Sequence, residues 1–170
     1  IIVDVSGRQL ASISVRGRSG QLPLKEQIEA MDRLLTELLQ AAGLERQMLA
    51  GLGLGLPGFV DHDSGRVFWS PVLAGRGVDV AAAATAALGV PVTIDNDANL
   101  VALAELWFGA GRQKSDFAVV TIEHGVGTGV VLNHKLFRGA HGLGVELGHT
   151  KVQLDGALCR CGQRGCLEAY

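Results

Sequence analysis

Apolar positions along the chain change their spacing several times, and each change marks a new element. Ile1 to Val5 and Gln9 to Arg16 read as two apolar-rich strands joined by Ser6-Gly7-Arg8, residue types that hairpin turns use. Leu24, Ile28, Met31, Leu34, Leu35, Leu38, Leu39 and Ala42 then recur at helical spacing, and Gly43 stands where such a helix would stop. Leu49 to Leu56 alternates Gly with Leu as a strand would, until Pro57-Gly58 breaks it ahead of the polar turn His62-Asp63-Ser64-Gly65 and a short strand from Arg66 to Trp69. Asp79 is placed to cap a short Ala-rich helix that ends at Gly89. Val92-Thr93-Ile94 reads as a buried strand running into Asp95-Asn96-Asp97, after which Ala98 to Phe108 forms an almost wholly apolar helix. Strands return at Val119 to Glu123, Gly127 to Asn133 and Lys135 to Phe137, with His124-Gly125 and Asn133-His134 as turns.

A hairpin, crossover helices and further strands predict an α/β fold with a mixed sheet covered by helices. The chain stops at Tyr170 inside an apparent helix that begins at Leu167 and has no stop signal, so it reads as truncated. Composition agrees with a folded α/β protein: 48% of residues are hydrophobic, 19% are charged, and the length of 170 suffices to bury a core. A formal net charge of −2 with no basic run leaves no electrostatic footprint for nucleic acid. No charged leader or cleavage site opens the chain, and no apolar stretch reaches the roughly 18 residues of a membrane span, so a cytoplasmic protein without a membrane partner is expected.

The cysteines carry the strongest chemical signal. Cys159, Cys161 and Cys166 lie within eight positions and are odd in number, which does not suit a disulfide framework. With His149 they form a set of three thiolates and one imidazole, the ligands of a closed, structural zinc site with no open position for water. The alternatives are reduced, partly buried cysteines beside an unrelated histidine, and an iron–sulfur cluster, which the histidine disfavours.

Acidic side chains surround this set in sequence. Glu146 precedes His149 by three residues and Glu168 follows Cys166 by two, so folding around a metal brings both carboxylates near one another, an arrangement suited to the vicinal hydroxyls of a sugar. Either could instead be a solvated surface group. Asp97 ends a strand and begins a helix, where a carboxylate could act as general base with Asn96 as a neighbouring donor and acceptor, or could simply be the helix N-cap. Gly53 to Gly58 formally matches a dinucleotide fingerprint, but no helix follows it, so that reading is rejected. Gly125-Val126-Gly127-Thr128-Gly129 could form a backbone nest for an anion or could be glycine-rich for tight packing.

Taken together, Gly55-Leu56-Pro57-Gly58, Asp95-Asn96-Asp97-Ala98-Asn99, Gly125 to Gly129, Glu146-Leu147-Gly148-His149 and the ending Cys159-Arg160-Cys161-Gly162-Gln163-Arg164-Gly165-Cys166-Leu167-Glu168 resemble the ROK family of sugar kinases and sugar-responsive repressors. The resemblance covers nearly the whole chain. It implies an actin-like ATPase, ribonuclease-H-like fold, with residues 1–110 as the first lobe and residues 111–170 as the start of the second, which carries the zinc loop. It places the family's zinc ligands on His149, Cys159, Cys161 and Cys166 and its sugar contacts on Asn96, Asp97, Glu146, His149 and Glu168, with Asp97 as the catalytic base in the kinases. A sugar or sugar phosphate is the implied ligand and a homo-oligomer the expected assembly; ATP and Mg are implied only for a kinase.

Two departures separate this chain from the kinase pattern. Asp4-Val5-Ser6-Gly7-Arg8 stands where ROK kinases carry Asp-x-Gly-Gly-Thr, and Glu123-His124-Gly125-Val126-Gly127 stands where they carry Gly-Thr-Gly-x-Gly. A carboxylate about 4 Å from a phosphate charge costs up to ~4 kcal/mol at an effective dielectric near 20, roughly a thousandfold in affinity. An acidic residue followed by His is similar to the repressor branch typified by the N-acetylglucosamine repressor. Val72 also replaces an Asn of the kinases, which removes one hydroxyl contact. These features predict the sugar-binding domain of a transcriptional regulator, whose DNA-binding helix-turn-helix would precede Ile1, with an ATP-dependent hexose kinase as the alternative.

Overall fold

The structure is a computed structural model that describes residues 1–17, 20–140, 142 and 144–170. It contains ten strands and three α-helices among those residues: β1 (Ile2–Val3), β2 (Gln9–Ala11), α1 (Leu24–Ala42), β3 (Leu52–Leu56), β4 (Phe59–Asp61), β5 (Arg66–Trp69), β6 (Val78–Asp79), α2 (Val80–Leu88), β7 (Val92–Asn96), α3 (Asp97–Trp107), β8 (Phe117–Ile122), β9 (Val126–Leu132) and β10 (Lys135–Leu136). Backbone pairing joins them as β1-β2, β3-β7, β4-β5-β6 and β10-β9-β8. Among the described residues no helix is long and apolar enough to cross a membrane.

The chain forms two compact units, residues 1–54 with 61–94 and residues 55–60 with 95–170. In the first, α1 carries the apolar stripe read from the sequence, and Leu35, Leu38 and Leu39 bury it with Ile2 of β1. Each such leucine stabilises the fold by about 1.5–3 kcal/mol through apolar burial. Gly43 ends the helix at φ 66°, and the amide of Leu44 returns to the carbonyl of Leu39 at 3.0 Å. That closure needs the left-handed conformation a glycine adopts without strain. β2 stops at Ala11 rather than Arg16. Its antiparallel partner β1 is only two residues long and its register is irregular, so the ladder cannot extend.

Asp79 does not cap α2. It sits at the N-cap position but makes no capping hydrogen bond, and its carboxylate pairs with Nε of Arg66 at 2.9 Å across β5 and β6. The ion pair and the strand pairing hold Asp79 in place of the cap that residue type alone suggested.

In the second unit β8, β9 and β10 form an antiparallel meander against α3. Asn133 and His134 both have positive φ and link β9 to β10, the two-residue turn that matches strand twist. A Cβ on Gly129 would lie 2.5 Å from the carbonyl oxygen of Ala98 and 2.6 Å from Cβ of Ala102. One on Gly127 would lie 2.7 Å from Oγ1 of Thr121 and 3.0 Å from Cβ of Ala98. Gly129 is therefore required by the close approach of α3, and Gly127 sits between Thr121 of β8 and Ala98 of α3. The apparent C-terminal helix is a single 3-10 turn, Leu167–Ala169.

Candidate metal and ligand site

The second unit brings together the four residues chosen from the sequence as metal ligands. One ligand atom from each of His149, Cys159, Cys161 and Cys166 lies within 4.8 Å of all the others. His149 is placed by a 3-10 turn, Leu147–His149, and the three cysteines by a loop whose amides turn back on themselves, Cys159 to Gln163 at 2.7 Å and Gly162 to Cys159 at 2.9 Å. The glycines are specific in this loop. Gly165 has φ 73°, and a Cβ there would come 1.6 Å from the carbonyl oxygen of Gln153.

The spacing fits a tetrahedral metal. Ligands about 2.3 Å from zinc at the tetrahedral angle are separated by ~3.8 Å for two sulfurs and ~3.6 Å for a sulfur and an imidazole nitrogen. The structure has Cys161 Sγ to Cys166 Sγ at 3.8 Å and Cys159 Sγ to His149 Nδ1 at 3.7 Å. A disulfide would require about 2.05 Å, and all three cysteines are free. The Cys161 thiol is held below its ordinary pKa, chiefly by the backbone N–H of Gln163, while burial pushes the Cys166 thiol up. Nζ of Lys151, 3.7 Å from Cys166 Sγ, places one positive charge at the edge of the cluster.

The acidic residues around this cluster are electrostatically coupled. Burial raises the pKa of the Glu146 carboxyl, the charge of His149 opposes that rise, and the charge of Glu168 adds to it. Glu168 is half-buried and has a partner that the sequence did not reveal. Its Oε2 accepts the backbone N–H of Val126 at 2.9 Å, and a Cβ on Gly125 would lie 2.6 Å from the same oxygen. The glycine-rich hairpin thus meets a carboxyl side chain of this same chain.

At the other edge, Asn96 is the N-cap of α3. Its Oδ1 accepts from Ala98 N at 2.9 Å and Asn99 N at 3.2 Å, and its Nδ2 donates to the Gly58 carbonyl at 3.1 Å. Asp97 is thereby relieved of capping and stands exposed at the first position of the helix, with Oδ1 near the amide of Ala98 at 2.9 Å. Sequence reasoning passed over Asp95, which is 2% exposed. Its Oδ2 accepts Nε and an Nη of Arg138, each at 2.8 Å, and its Oδ1 accepts Asn96 N at 2.8 Å and Asn99 Nδ2 at 2.9 Å. A charged residue after the buried Val92 and Ile94 was the available signal; Arg138 offered none.

The first hairpin is also closed on itself. Asp4 accepts from Ser6 N at 2.9 Å, Ser6 Oγ at 2.6 Å, Arg8 N at 3.1 Å and Arg8 Nε at 3.2 Å. The Ser6 hydroxyl first, then the Arg8 amide, lowers its pKa to about 2.

Comparison with known proteins then decides the family, since the model of the ROK family matches residues 1–170. The chain belongs to the ROK family. It is 35% identical over 153 residues to the xylose repressor of Caldicellulosiruptor bescii, covering 88% of this chain and 38% of the repressor. Among solved structures it is similar to a ROK family glucokinase from Streptomyces griseus in complex with glucose and AMPPNP, with a TM-score of 0.85, 32% identity and coverage of 99% of this chain and 51% of that one. It is also similar to a ROK family transcriptional regulator described as a homologue of the E. coli MLC protein, with a TM-score of 0.75, 31% identity and coverage of 87% and 37%. The chain thus spans about half or less of the length of these relatives. Its fold is the α/β, actin-like ATPase fold of the ROK kinases.

Proposed function

We propose that this chain is the sugar-binding, effector-sensing part of a bacterial ROK transcriptional regulator. The observation that carries this reading is the closure of the first hairpin, whose amides at Ser6 and Arg8 are taken by Asp4 while the Arg8 guanidinium folds back on the same carboxylate. Phosphoryl transfer depends on backbone donors left open for phosphate. Likeness to a xylose repressor and to an MLC homologue supports the same branch.

In this reading His149, Cys159, Cys161 and Cys166 hold a structural zinc. Asn96, Asp97, Glu146, His149 and Glu168 line the sugar site, Asn96 with the N–H left over from its bond to Gly58. The lobe boundary lies near residue 110, the assembly is a cytoplasmic homo-oligomer, and DNA is held by a helix-turn-helix outside these 170 residues. The second reading is an ATP-dependent glucokinase-like enzyme with Asp97 as general base. Similarity over 99% of the chain to a glucokinase holding glucose and an ATP analogue favours it.

One experiment separates the two readings. The full-length protein is incubated with ATP, Mg and a panel of glucose, xylose, N-acetylglucosamine and their phosphates, with phosphorylation and thermal melting followed together. A regulator shows a rise in melting temperature with one sugar and no turnover; sustained turnover overturns the regulator reading. At 100 times its dissociation constant a specific sugar adds about 2.7 kcal/mol of stability.

A further inference from the structure

Three contacts from the metal-binding region converge on residues 124–126, the tip of the hairpin between β8 and β9. The Arg160 guanidinium, from the residue between ligands Cys159 and Cys161, donates to the His124 carbonyl at 2.8 Å. Glu168, two residues beyond ligand Cys166, accepts the Val126 amide at 2.9 Å. Gly148, next to ligand His149, packs so closely that a Cβ there would lie 2.5 Å from the Val126 carbonyl oxygen. Each contact comes from a residue within two positions of a ligand. Within the loop Glu123 N donates to Gly125 O at 3.0 Å, and Val126 is paired with Ile122 at the end of the β8–β9 ladder.

We propose that the metal loop is a brace for this glycine-rich hairpin, with Arg160 and Glu168 as its positioning residues. The four ligands fix the backbone that carries Arg160 and Glu168, and those two side chains fix the amide and carbonyl of the hairpin tip. The metal then acts at a distance from its own loop, setting where the Val126 N–H points. Glycine at 125 is part of the device, because any side chain there would displace the Glu168 carboxylate. The brace operates in a kinase and in a regulator alike, so it stands apart from the choice between them.

Amide hydrogen exchange in the full chain tests it, with Val126 as the reporter and Val130 and Val131, inside β9, as controls. In zinc-loaded protein the Val126 amide is protected. Reversible chelation of zinc speeds its exchange by about tenfold to a hundredfold, the range a charge-assisted hydrogen bond supports, while the controls change little. Glu168→Ala gives the same local loss with zinc still bound, and Glu168→Gln, which keeps an acceptor, restores part of the protection. Arg160→Met, checked for one zinc per chain, also speeds exchange at the tip and decides the matter if Glu168→Ala loses its metal. Unchanged Val126 protection after chelation, or in the zinc-bound variants, overturns the proposal.

Discussion

Asp95 and Arg138 form a forked ion pair in which two guanidinium nitrogens share one carboxylate oxygen, and the other oxygen ties down Asn96 and Asn99. The aspartate is almost fully buried while the arginine keeps a partly exposed side chain. This one carboxylate therefore joins three segments: the end of β7, the first turn of α3 and the chain after β10. A buried carboxylate deprived of its cation is costly, whereas removing both charges at once is close to neutral. Arg138→Met is expected to lower stability by about 3 kcal/mol, visible as a fall in melting temperature of roughly 6–12 °C. The double variant Asp95→Asn with Arg138→Met should recover most of that loss. A double variant no more stable than Arg138→Met would show that the arginine acts by packing and not by pairing.

Asn96 caps α3 while Asp97 stands exposed beside it, so substitutions at the two positions should separate helix stability from the proposed sugar contact of Asp97. Asn96→Ala removes the single Oδ1 acceptor of two capping hydrogen bonds at α3 and should cost about 1–2 kcal/mol in denaturant unfolding. Asp97→Asn keeps the cap and loses only a charge near the helix N-terminus, worth at most about 1 kcal/mol. Sugar-induced stabilisation, by contrast, should fall in Asp97→Asn by more than its unfolding free energy does. Equal losses in both measurements would remove Asp97 from the site.

For the metal, elemental analysis of gently purified protein should give one zinc per chain. Cys161 is the exposed ligand, so Cys161→Ser perturbs no packed core and reports on coordination alone. It should lose the metal and the cooperative unfolding of the C-terminal segment, because the free energy of a structural zinc is largely folding free energy. Metal retained at full stoichiometry would dismiss Cys161 as a ligand.

Local signals were legible where one residue type does one job. The stripe of α1, its glycine stop and the Cys-Arg-Cys spacing each depend on near neighbours, and each is found where the sequence puts it. Signals failed where a long-range partner won. Asp79 has the chemistry of a cap but pairs with Arg66; of the two readings the glycine run left open, Gly129 shows tight packing, against Ala98 and Ala102 of α3. The bond from Val126 N to Glu168, 42 residues apart, likewise had no trace in spacing. Arg138 was invisible for the same reason, since only the folded chain brings it to Asp95.

The first hairpin offers a pH test of its closure. Asp4 is an acid whose folded pKa, about 2, lies below the ordinary value of 3.8. Such a group binds its proton more weakly in the native turn than in the unfolded chain, so its stabilising contribution is complete above about pH 4 and is lost as pH falls through 2. Carbon-detected NMR titration of the carboxyl should give a midpoint near 2. Ser6→Ala removes the largest cause of the depression and should move that midpoint up toward 3.8, with Arg8→Gln moving it less because the Arg8 amide, the second-ranked cause, survives the change. A midpoint already near 3.8 in the unaltered protein would mean that Asp4 does not gather these donors. The hairpin amides would then be free for another anion, which would undercut the observation that favours a regulator over a kinase.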